Sequence, residues 1–281
     1  DMDSVLITVN PLPTIITNND TSVCIGTCAQ LSASGATGYI WTPGATLNDS
    51  TIANPIACPT VTTTYTVTGT DANSCSDTAS VTITIDPLPI VDAGPDVAVC
   101  IGDSVVIGGT PTGPAGSSYV WTPALTLDDD TLANPTAFPT SNTQYIVVVT
   151  DSNGCIASDT VDVTVNPLPV ADAGLDTAIC VGVTVQIGGS PTGPIGSSYT
   201  WTPSATLDDD TLANPNATPT VTTEYIVTVT DSNGCMDMDS VLITVNPLPN
   251  VTSSPDTAMC IGACYQMTAA GANTYIWTPA T

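Results

Sequence analysis

The chain has 281 residues, and its composition excludes several classes of function. It contains no Lys, Arg or His and 26 acidic residues, all Asp except Glu224, for a formal net charge of −26. Such a chain repels phosphate backbones and anionic membrane surfaces, which excludes nucleic-acid binding. It also lacks the side chains that serve most often as general bases, Schiff-base amines and oxyanion clamps, so we expect no enzymatic activity. No apolar run approaches the ~20 residues of a membrane span, so no membrane insertion is expected in this segment.

The chain is built from repeats of about 80 residues. Each repeat carries a Tyr-x-Trp-Thr-Pro motif, with its tryptophan at Trp41, Trp121, Trp201 or Trp277. Short Asn/Asp-Pro-Leu-Pro segments separate the repeats and predict stiff links. Residues 1–13 match residues 237–249 at every position. The predicted organisation is the last strand of a preceding domain plus linker at 1–13, repeat 1 at 14–89, repeat 2 at 90–169, repeat 3 at 170–249, and the N-terminal part of a fourth repeat at 250–281. The chain is thus expected to be a window on a longer polypeptide.

Short strands are predicted in a fixed order within each repeat. In repeat 3, a strand at 176–180 leads through a turn at Gly182 into a second strand at 183–187. A Gly/Pro/Ser loop precedes a third strand, in which Tyr199 and Trp201 share one face, and an irregular Asp-rich segment follows. A long hairpin with an Asp-Ser-Asn-Gly turn closes the repeat at the proline link. This pattern predicts an all-β chain of tandem immunoglobulin-like antiparallel β-sandwiches in an extended rod.

Two aromatic positions per repeat are candidates for the core. The tryptophan of the Tyr-x-Trp motif is predicted to be a core anchor rather than a ligand platform. A tyrosine opens the penultimate strand of each complete repeat, at Tyr65, Tyr145 and Tyr225. Its position predicts the tyrosine corner of immunoglobulin-like sandwiches.

Several phrases of repeat 3 resemble tandem PKD-like (immunoglobulin-like) repeats. These phrases are Cys180-Val-Gly, Tyr199-Thr-Trp-Thr-Pro, Thr206-Leu-Asp-Asp-Asp, Asn214-Pro and the segment from Tyr225 to Cys235. Such repeats occur in very large secreted surface proteins of Bacteroidota, including gliding-motility-type adhesins. The resemblance covers essentially the whole chain, although Trp-Thr-Pro stands where PKD domains proper have Trp-Asp-Phe-Gly-Asp-Gly. It implies an exported stalk, adhesin or filament.

Ten cysteines recur with the repeats and predict structural disulfides in an oxidising, extracellular setting. The simplest pairing lies within each repeat: Cys24–Cys75, Cys100–Cys155 and Cys180–Cys235. A second pairing joins the early-turn cysteine of one domain to the hairpin cysteine of a neighbour, which would staple the junction. Cys28 and Cys58 are extra cysteines of repeat 1 and are expected to pair with each other. The fourth repeat has the same variant at Cys260 and Cys264, with partners expected beyond the end of the sequence.

The densest acidic segments are candidate calcium sites. Asp128-Asp129-Asp130 and Asp208-Asp209-Asp210 lie in irregular loops, and hard carboxylate oxygens suit Ca2+. No stretch matches the twelve-residue EF-hand loop, and a solvated turn is the competing interpretation. No cofactor is required under either one.

An Asp-Ser/Thr-small-apolar triplet recurs along the chain and resembles the O-glycosylation sequon of secreted Bacteroidota proteins. Thr131 and Thr211, in the irregular loops, are the first acceptors predicted. The others are Thr78, Ser104, Thr160, Thr177, Ser240 and Thr257.

These observations predict a non-enzymatic extracellular structural protein at the cell surface, a repeat stalk or filament of an adhesin or surface fibre. The alternative is an adhesive module whose exposed loops bind carbohydrate or protein. The expected partners are other copies of the chain, assembled laterally or end to end, and surface glycans.

Overall fold

The structure is a computed structural model that describes residues 3–278, so the outermost positions of the predicted segments 1–13 and 250–281 lie outside the described residues. Residues 3–278 contain strands, turns and loops but no helix, and therefore no helix long and apolar enough to cross a membrane. The predicted all-β class is confirmed. The chain divides into two compact units, residues 1–165 and 166–281.

The first unit contains two sandwich repeats. The strands of repeat 1 are β1 (Ile16–Thr17), β2 (Thr21–Cys24), β3 (Ala29–Gln30), β4 (Ala33–Ser34), β5 (Gly38–Thr42), β6 (Ile56–Ala57), β7 (Thr63–Thr70) and β8 (Ser76–Asp86). Those of repeat 2 are β9 (Val97–Cys100), β10 (Val105–Val106), β11 (Ser118–Thr122), β12 (Thr136–Ala137), β13 (Thr143–Thr150) and β14 (Ile156–Asn166). Each repeat has its own hydrophobic core.

The last strand organises each sheet. In repeat 1, β8 pairs antiparallel with β7 on one side and parallel with β2 on the other, where Cys24 lies opposite Asp86. β5 completes the order β2-β8-β7-β5, and repeat 2 has the corresponding order β9-β14-β13-β11. Opposite these sheets, the described residues form the two-residue pairs β1–β4 and β3–β6 in repeat 1 and β10–β12 in repeat 2, with single bridges from Leu47 to Ala57 and from Leu127 to Ala137. The β5-β7-β8 arrangement is that of strands C, F and G in an immunoglobulin-like sandwich.

The parallel edge pair departs from the fully antiparallel sandwich that the sequence predicts. β2 and β8 both run from the upstream end of the repeat, which the chain enters from the preceding link, to the downstream end, where the next link begins. Strands that run in the same direction pair in parallel when they are neighbours in a sheet.

The second unit contains repeat 3 and the segment that follows it. Its strands are β15 (Thr177–Cys180), β16 (Val185–Gln186), β17 (Ser198–Thr202), β18 (Asn216–Ala217), β19 (Thr223–Thr230), β20 (Met236–Asn246), β21 (Thr252–Ser253) and β22 (Ala269–Ala270). The sheet order β15-β20-β19-β17 repeats that of the first unit. β20 pairs in parallel with β15, and Cys180 lies opposite Asn246.

The tryptophans of the complete repeats are core anchors, as the sequence predicts. Trp41, Trp121 and Trp201 are at most 1% exposed. The indole N–H of Trp121 donates to the carbonyl of Leu132 at 3.0 Å, so its polar atom is satisfied while the ring packs in the core. The alternation predicted for the hairpin is confirmed as well, because Tyr225, Val227 and Val229 are all fully buried.

The tyrosine of the penultimate strand does not form the predicted tyrosine corner. In repeat 2 its hydroxyl oxygen lies 2.6 Å from Thr126 Oγ1, nineteen residues earlier in the chain. A tyrosine corner would instead bond to backbone only a few residues upstream. Tyr145 therefore ties the irregular Asp-rich segment to the core, and Tyr65 and Tyr225 do the same through Thr46 and Thr206.

An aspartate builds the turn of the long hairpin. Asp151 Oδ1 accepts the backbone N–H groups of Asn153 and Cys155, both at 2.9 Å. Gly154 has a φ of 83°, a left-handed value that glycine adopts at little steric cost. Repeat 1 places Ser74 at this position, with a φ of 62°.

Residues 3–10 and 250–278 carry repeat sequence without a complete sheet. In repeat 3 the sequence of residues 3–10 forms the middle strand β20, whereas here it is unpaired among the described residues and Val5 is 86% exposed. Residues 250–278 contain only the β21–β22 pair. Trp277 is 48% exposed, because the described residues supply no hairpin to cover it. Their assignment to neighbouring repeats stays a prediction.

Replacing Ser74 by glycine should stabilise repeat 1 by up to about 1 kcal/mol, because glycine adopts positive φ without a Cβ clash. We expect a rise of several degrees in the melting temperature, measured by circular dichroism. Gly154→Ser is the matched control and should lower the stability of repeat 2 by a similar amount. No change in either variant would contradict this account of the turn.

Candidate functional site

The repeat architecture determines at which end of a repeat each cysteine lies. Each complete repeat has a turn cysteine at the end of its first sheet strand and a hairpin cysteine just before its last strand. The turn cysteines are Cys24, Cys100 and Cys180, and the hairpin cysteines are Cys75, Cys155 and Cys235. The parallel pairing puts Cys24 and Cys180 at the downstream ends of repeats 1 and 3, and the hairpin turn puts the other cysteine of each repeat at the upstream end.

A disulfide joins the two repeats of the first unit. Cys24 at the downstream end of repeat 1 is bonded to Cys155 at the upstream end of repeat 2, with Cα atoms 5.5 Å apart and a sequence separation of 131. Cys155 is fully buried. The junction between these repeats thus has two covalent connections, the proline-containing link and this bond.

The pairing expected within each repeat is wrong for Cys24–Cys75, Cys100–Cys155 and Cys180–Cys235. In repeat 3, Cys180 lies opposite Asn246, whereas Cys235 precedes the first residue of β20. Eleven strand residues at about 3.3 Å each separate the two by roughly 35 Å. Bonded cysteines need Cα atoms within about 7 Å, so strand direction forbids the pair. The alternative pairing between neighbouring repeats is the one present at Cys24.

The remaining turn and hairpin cysteines fall into two groups. Cys100 and Cys235 are disulfide-bonded. Within residues 3–278, the free cysteines are Cys75, Cys180, Cys260 and Cys264.

A second disulfide, Cys28–Cys58, lies within repeat 1 as the sequence predicts, with Cα atoms 4.3 Å apart. Extending the β3–β6 register from Ala29↔Ala57 by one residue places the two cysteines opposite each other. The bond therefore closes a strand pair only two residues long. The same register in repeat 2 places Ser104 opposite Phe138, beside Val105↔Ala137.

The acidic loops use their carboxylates to hold the backbone. In repeat 2, Asp128 Oδ1 accepts the N–H groups of Asp129 and Thr136, both at 2.8 Å. Asp129 Oδ1 accepts the Thr131 hydroxyl at 2.6 Å and the Thr131 N–H at 2.8 Å. Asp208 and Asp209 make the same bonds in repeat 3.

These bonds lower carboxyl pKa values. The Thr131 hydroxyl, followed by the Thr131 N–H, holds the pKa of Asp129 below its ordinary value, and Thr211 acts likewise on Asp209. The pKa of Asp128 is lowered chiefly by the Thr136 N–H, and that of Asp208 by the Asn216 side chain. The carboxylates thus remain ionised through mild acidification, which preserves their role as acceptors.

The predicted calcium ligands differ in exposure and do not form a three-ligand group within the part of the chain that the structure describes. Asp128, Asp129 and their counterparts Asp208 and Asp209 are exposed, while Asp130 and Asp210 are half-buried. Across residues 3–278 no three His, Cys, Asp or Glu side chains are grouped to hold a metal ion. These loop-capping bonds are not among the sequence-based predictions, although an Asp followed two residues later by a Thr is a visible signal for them. Calcium binding stays a prediction.

The eight predicted glycosylation acceptors all lie at exposed positions: Thr78, Ser104, Thr131, Thr160, Thr177, Thr211, Ser240 and Thr257. Thr131 and Thr211 donate their hydroxyls to aspartates, so modification there would replace a loop contact. Glycosylation itself stays a prediction.

A groove of about 490 Å³ lies in the second unit and was not foreseen from the sequence. It is lined by Met259, Tyr265, Met267 and Trp277, among others, within residues 253–277. Trp277 occupies the position of the buried Trp41. The groove is therefore the uncovered interior of a repeat rather than a shaped ligand site.

Comparisons with known proteins add no family assignment. No protein-family model and no curated protein matches the sequence. Among solved structures, three immunoglobulin domains of titin align with 84% of this chain and all of theirs, at 13% identity and a TM-score of 0.43. The N-terminal eight immunoglobulin domains of DSCAM align over 84% of this chain and 37% of theirs, at 14% identity and a TM-score of 0.43. Hemolin, an insect immune protein, aligns over 83% of this chain and 76% of its own, at 15% identity and a TM-score of 0.31. The immunoglobulin-like assignment rests on the strand order described above.

Thr131→Val should raise the pKa of Asp129 towards its ordinary value, because it removes the hydroxyl donor. The stability from this bond is present above the unfolded pKa, near 3.9, and is lost as the pH falls through the lower folded pKa. The valine variant should therefore lose less stability on acidification. Carbon-detected NMR titration measures the pKa, and Thr131→Ser, which keeps the hydroxyl, is the control. An unchanged Asp129 titration in the valine variant would contradict the assignment.

The Cys28–Cys58 bond should be transferable to repeat 2. Ser104→Cys combined with Phe138→Cys is expected to form a disulfide and stabilise that repeat by about 2–4 kcal/mol. Urea unfolding of the oxidised variant should be compared with Ser104→Ala/Phe138→Ala, which keeps the native bonds. Failure of the two thiols to pair would show that the register is not held as described.

Proposed function

We propose that this chain is a non-enzymatic extracellular structural protein, a repeat stalk or filament of a cell-surface adhesin or surface fibre. It would belong with the large secreted Bacteroidota proteins whose repeats it resembles. The observation that carries the proposal is the Cys24–Cys155 disulfide, which joins two successive repeats instead of stabilising one. A bond in this place restrains the junction between domains, and such a restraint is useful where the arrangement of domains is the function.

One further observation supports an extracellular site of action, and a second supports a chain that stays soluble there. Disulfides persist in oxidising compartments and are rare in reducing ones, and this chain has them both within and between repeats. The surface is rich in Asp, and the chain has 26 acids and no cationic side chain. No acid can therefore pair with a cationic side chain of another copy, and the net negative charge favours solubility.

The residue types and their placement support a non-enzymatic role. The chain has no His, Lys or Arg. The aspartates of the loops are engaged by backbone N–H and threonine hydroxyl groups, as at Asp128 and Asp129, so their structural use accounts for their recurrence in each repeat.

The test is whether the bond restrains the junction. Small-angle scattering of the oxidised chain should give a narrow distribution of interatomic distances, and Cys24→Ser should broaden it. Cys28→Ser, which removes a bond inside repeat 1, is the matched control and should leave the distribution unchanged. If Cys24→Ser scatters like the unmodified chain, the bond does not restrain the junction and the proposal loses its main support. Saturable binding of the isolated chain to a glycan or protein array would favour the adhesive-module alternative.

A further inference from the structure

Cys75 and Cys180 occupy positions whose counterparts are bonded. Cys75 is the hairpin cysteine of repeat 1, equivalent to Cys155, and Cys180 is the turn cysteine of repeat 3, equivalent to Cys24. Both are free within residues 3–278, whereas Cys24 and Cys155 are bonded to each other.

The local structure presents each free cysteine in the same way as its bonded counterpart. Asp71 Oδ1 accepts the Cys75 N–H at 2.9 Å, and Asp151 Oδ1 accepts the Cys155 N–H at the same distance. The turn after Cys180 is closed by the Val183 N–H on the Cys180 carbonyl at 3.1 Å. Thr27 makes the equivalent bond to the Cys24 carbonyl at 3.0 Å. The backbone around Cys75 and Cys180 thus has the same local hydrogen bonds as the backbone around the bonded Cys155 and Cys24.

Strand direction leaves one kind of partner for each thiol. Cys75 lies at the upstream end of its repeat and Cys180 at the downstream end of its own. Cys75 therefore cannot reach the turn cysteine of its own repeat, and Cys180 cannot reach the hairpin cysteine of its own. A hairpin cysteine meets a turn cysteine only where the downstream end of one repeat faces the upstream end of the next. The Cys24–Cys155 bond is an example of such a meeting within the first unit.

We propose that Cys75 and Cys180 are disulfide sites for further repeats, so that bonds from turn cysteine to hairpin cysteine continue beyond the junction at Cys24. Cys180 takes the hairpin cysteine of the repeat that follows it, and Cys75 takes the turn cysteine of the repeat that precedes it. Residues 250–278 repeat the Cys-Ile-Gly turn at Cys260, with the same closing bond from Ala263 N–H to the Cys260 carbonyl at 3.1 Å. The neighbouring repeat belongs either to the same polypeptide or to a second copy, in which case Cys180 of one copy meets Cys75 of the other.

The accessibility of the thiols suits this chemistry. Cys180 is exposed and Cys75 is half-buried, whereas the bonded Cys155 is fully buried. A thiolate of this chain attacks the disulfide of an exported thiol–disulfide oxidant and forms a mixed disulfide, releasing one oxidant thiol. The partner thiolate then displaces the second oxidant thiol. Two protein thiols lose two protons and two electrons, and the oxidant disulfide is reduced to two thiols.

The test is disulfide mapping of the secreted protein purified without reductant. Free thiols are alkylated first, and the chain is then cut with an aspartyl-specific protease and analysed by mass spectrometry. We expect the Cys180 peptide joined to a hairpin-cysteine peptide and the Cys75 peptide joined to a Cys-x-Gly turn peptide, with Cys28–Cys58 as the internal control. A Cys180–Cys75 product identifies a second copy as the partner, and a partner peptide from outside the printed sequence identifies a neighbouring repeat of the same polypeptide.

Two variants test the proposed partners of the thiols by counting alkylated cysteines, which does not depend on recovering the disulfide-linked peptides. Cys180→Ser should free one additional hairpin thiol for alkylation, whereas Cys28→Ser should free Cys58 alone. Alkylated Cys75 and Cys180 in the secreted protein, or a bond from Cys180 to Cys235, would overturn the proposal. The inference relies on the proposed extracellular location for its oxidant. Its failure would leave the Cys24–Cys155 restraint, and with it the proposed function, in place.

Discussion

The pairing of the last strand on both of its sides is the constraint on which the rest of each repeat depends. β8 and β20 run the whole length of their sheets, with an antiparallel neighbour on one side and a short parallel neighbour on the other. The antiparallel partner carries the buried tyrosine and valines of the core, and the parallel partner carries the turn cysteine. Because the long strand fixes which end of the repeat each element occupies, it decides which cysteines meet and which never do.

The aspartates of this chain stabilise the fold without cationic partners. With no Lys, Arg or His, the carboxylates have only N–H and O–H groups as partners. Asp20, Asp96 and Asp176 each accept a backbone N–H of the last strand, at 2.8–2.9 Å, just before the parallel edge strand begins. Others close the hairpin turn or hold the irregular loop. Charge-assisted bonds of this kind are stronger than neutral ones, so a sequence of one charge sign still obtains electrostatic stabilisation of its fold.

Much of the architecture could be predicted from the sequence, since it depends on periodicity and local chemistry. The alternation around Tyr225, the buried Trp201 and the Asp-Ser-Asn-Gly turn follow from patterns that repeat along the chain. The adjacency of Cys28 and Cys58 follows from their being the two extra cysteines of repeat 1. The disulfide at Cys24 is the second of the two pairings that the sequence leaves open, because closeness in sequence favours a pair within one repeat and takes no account of strand direction. The eleven residues between Cys235 and the proline link already imply opposite ends for the two cysteines of repeat 3. The partner of Tyr145 and the carboxylate bonds of Asp128 depend on the path of an irregular loop, which no periodicity encodes.

The bond between Cys24 and Cys155 also keeps the chain covalently continuous after a backbone cleavage between these two residues. Cys24 and Cys155 have a sequence separation of 131, and the stretch between them includes most of repeat 1, the link and most of repeat 2. A single peptide-bond cleavage anywhere inside that enclosed stretch leaves the two flanking parts of the chain covalently attached to each other. Outside a cell, where a nicked polypeptide is not replaced at once, such a chain would retain its continuity after a cut that severs an ordinary string of domains.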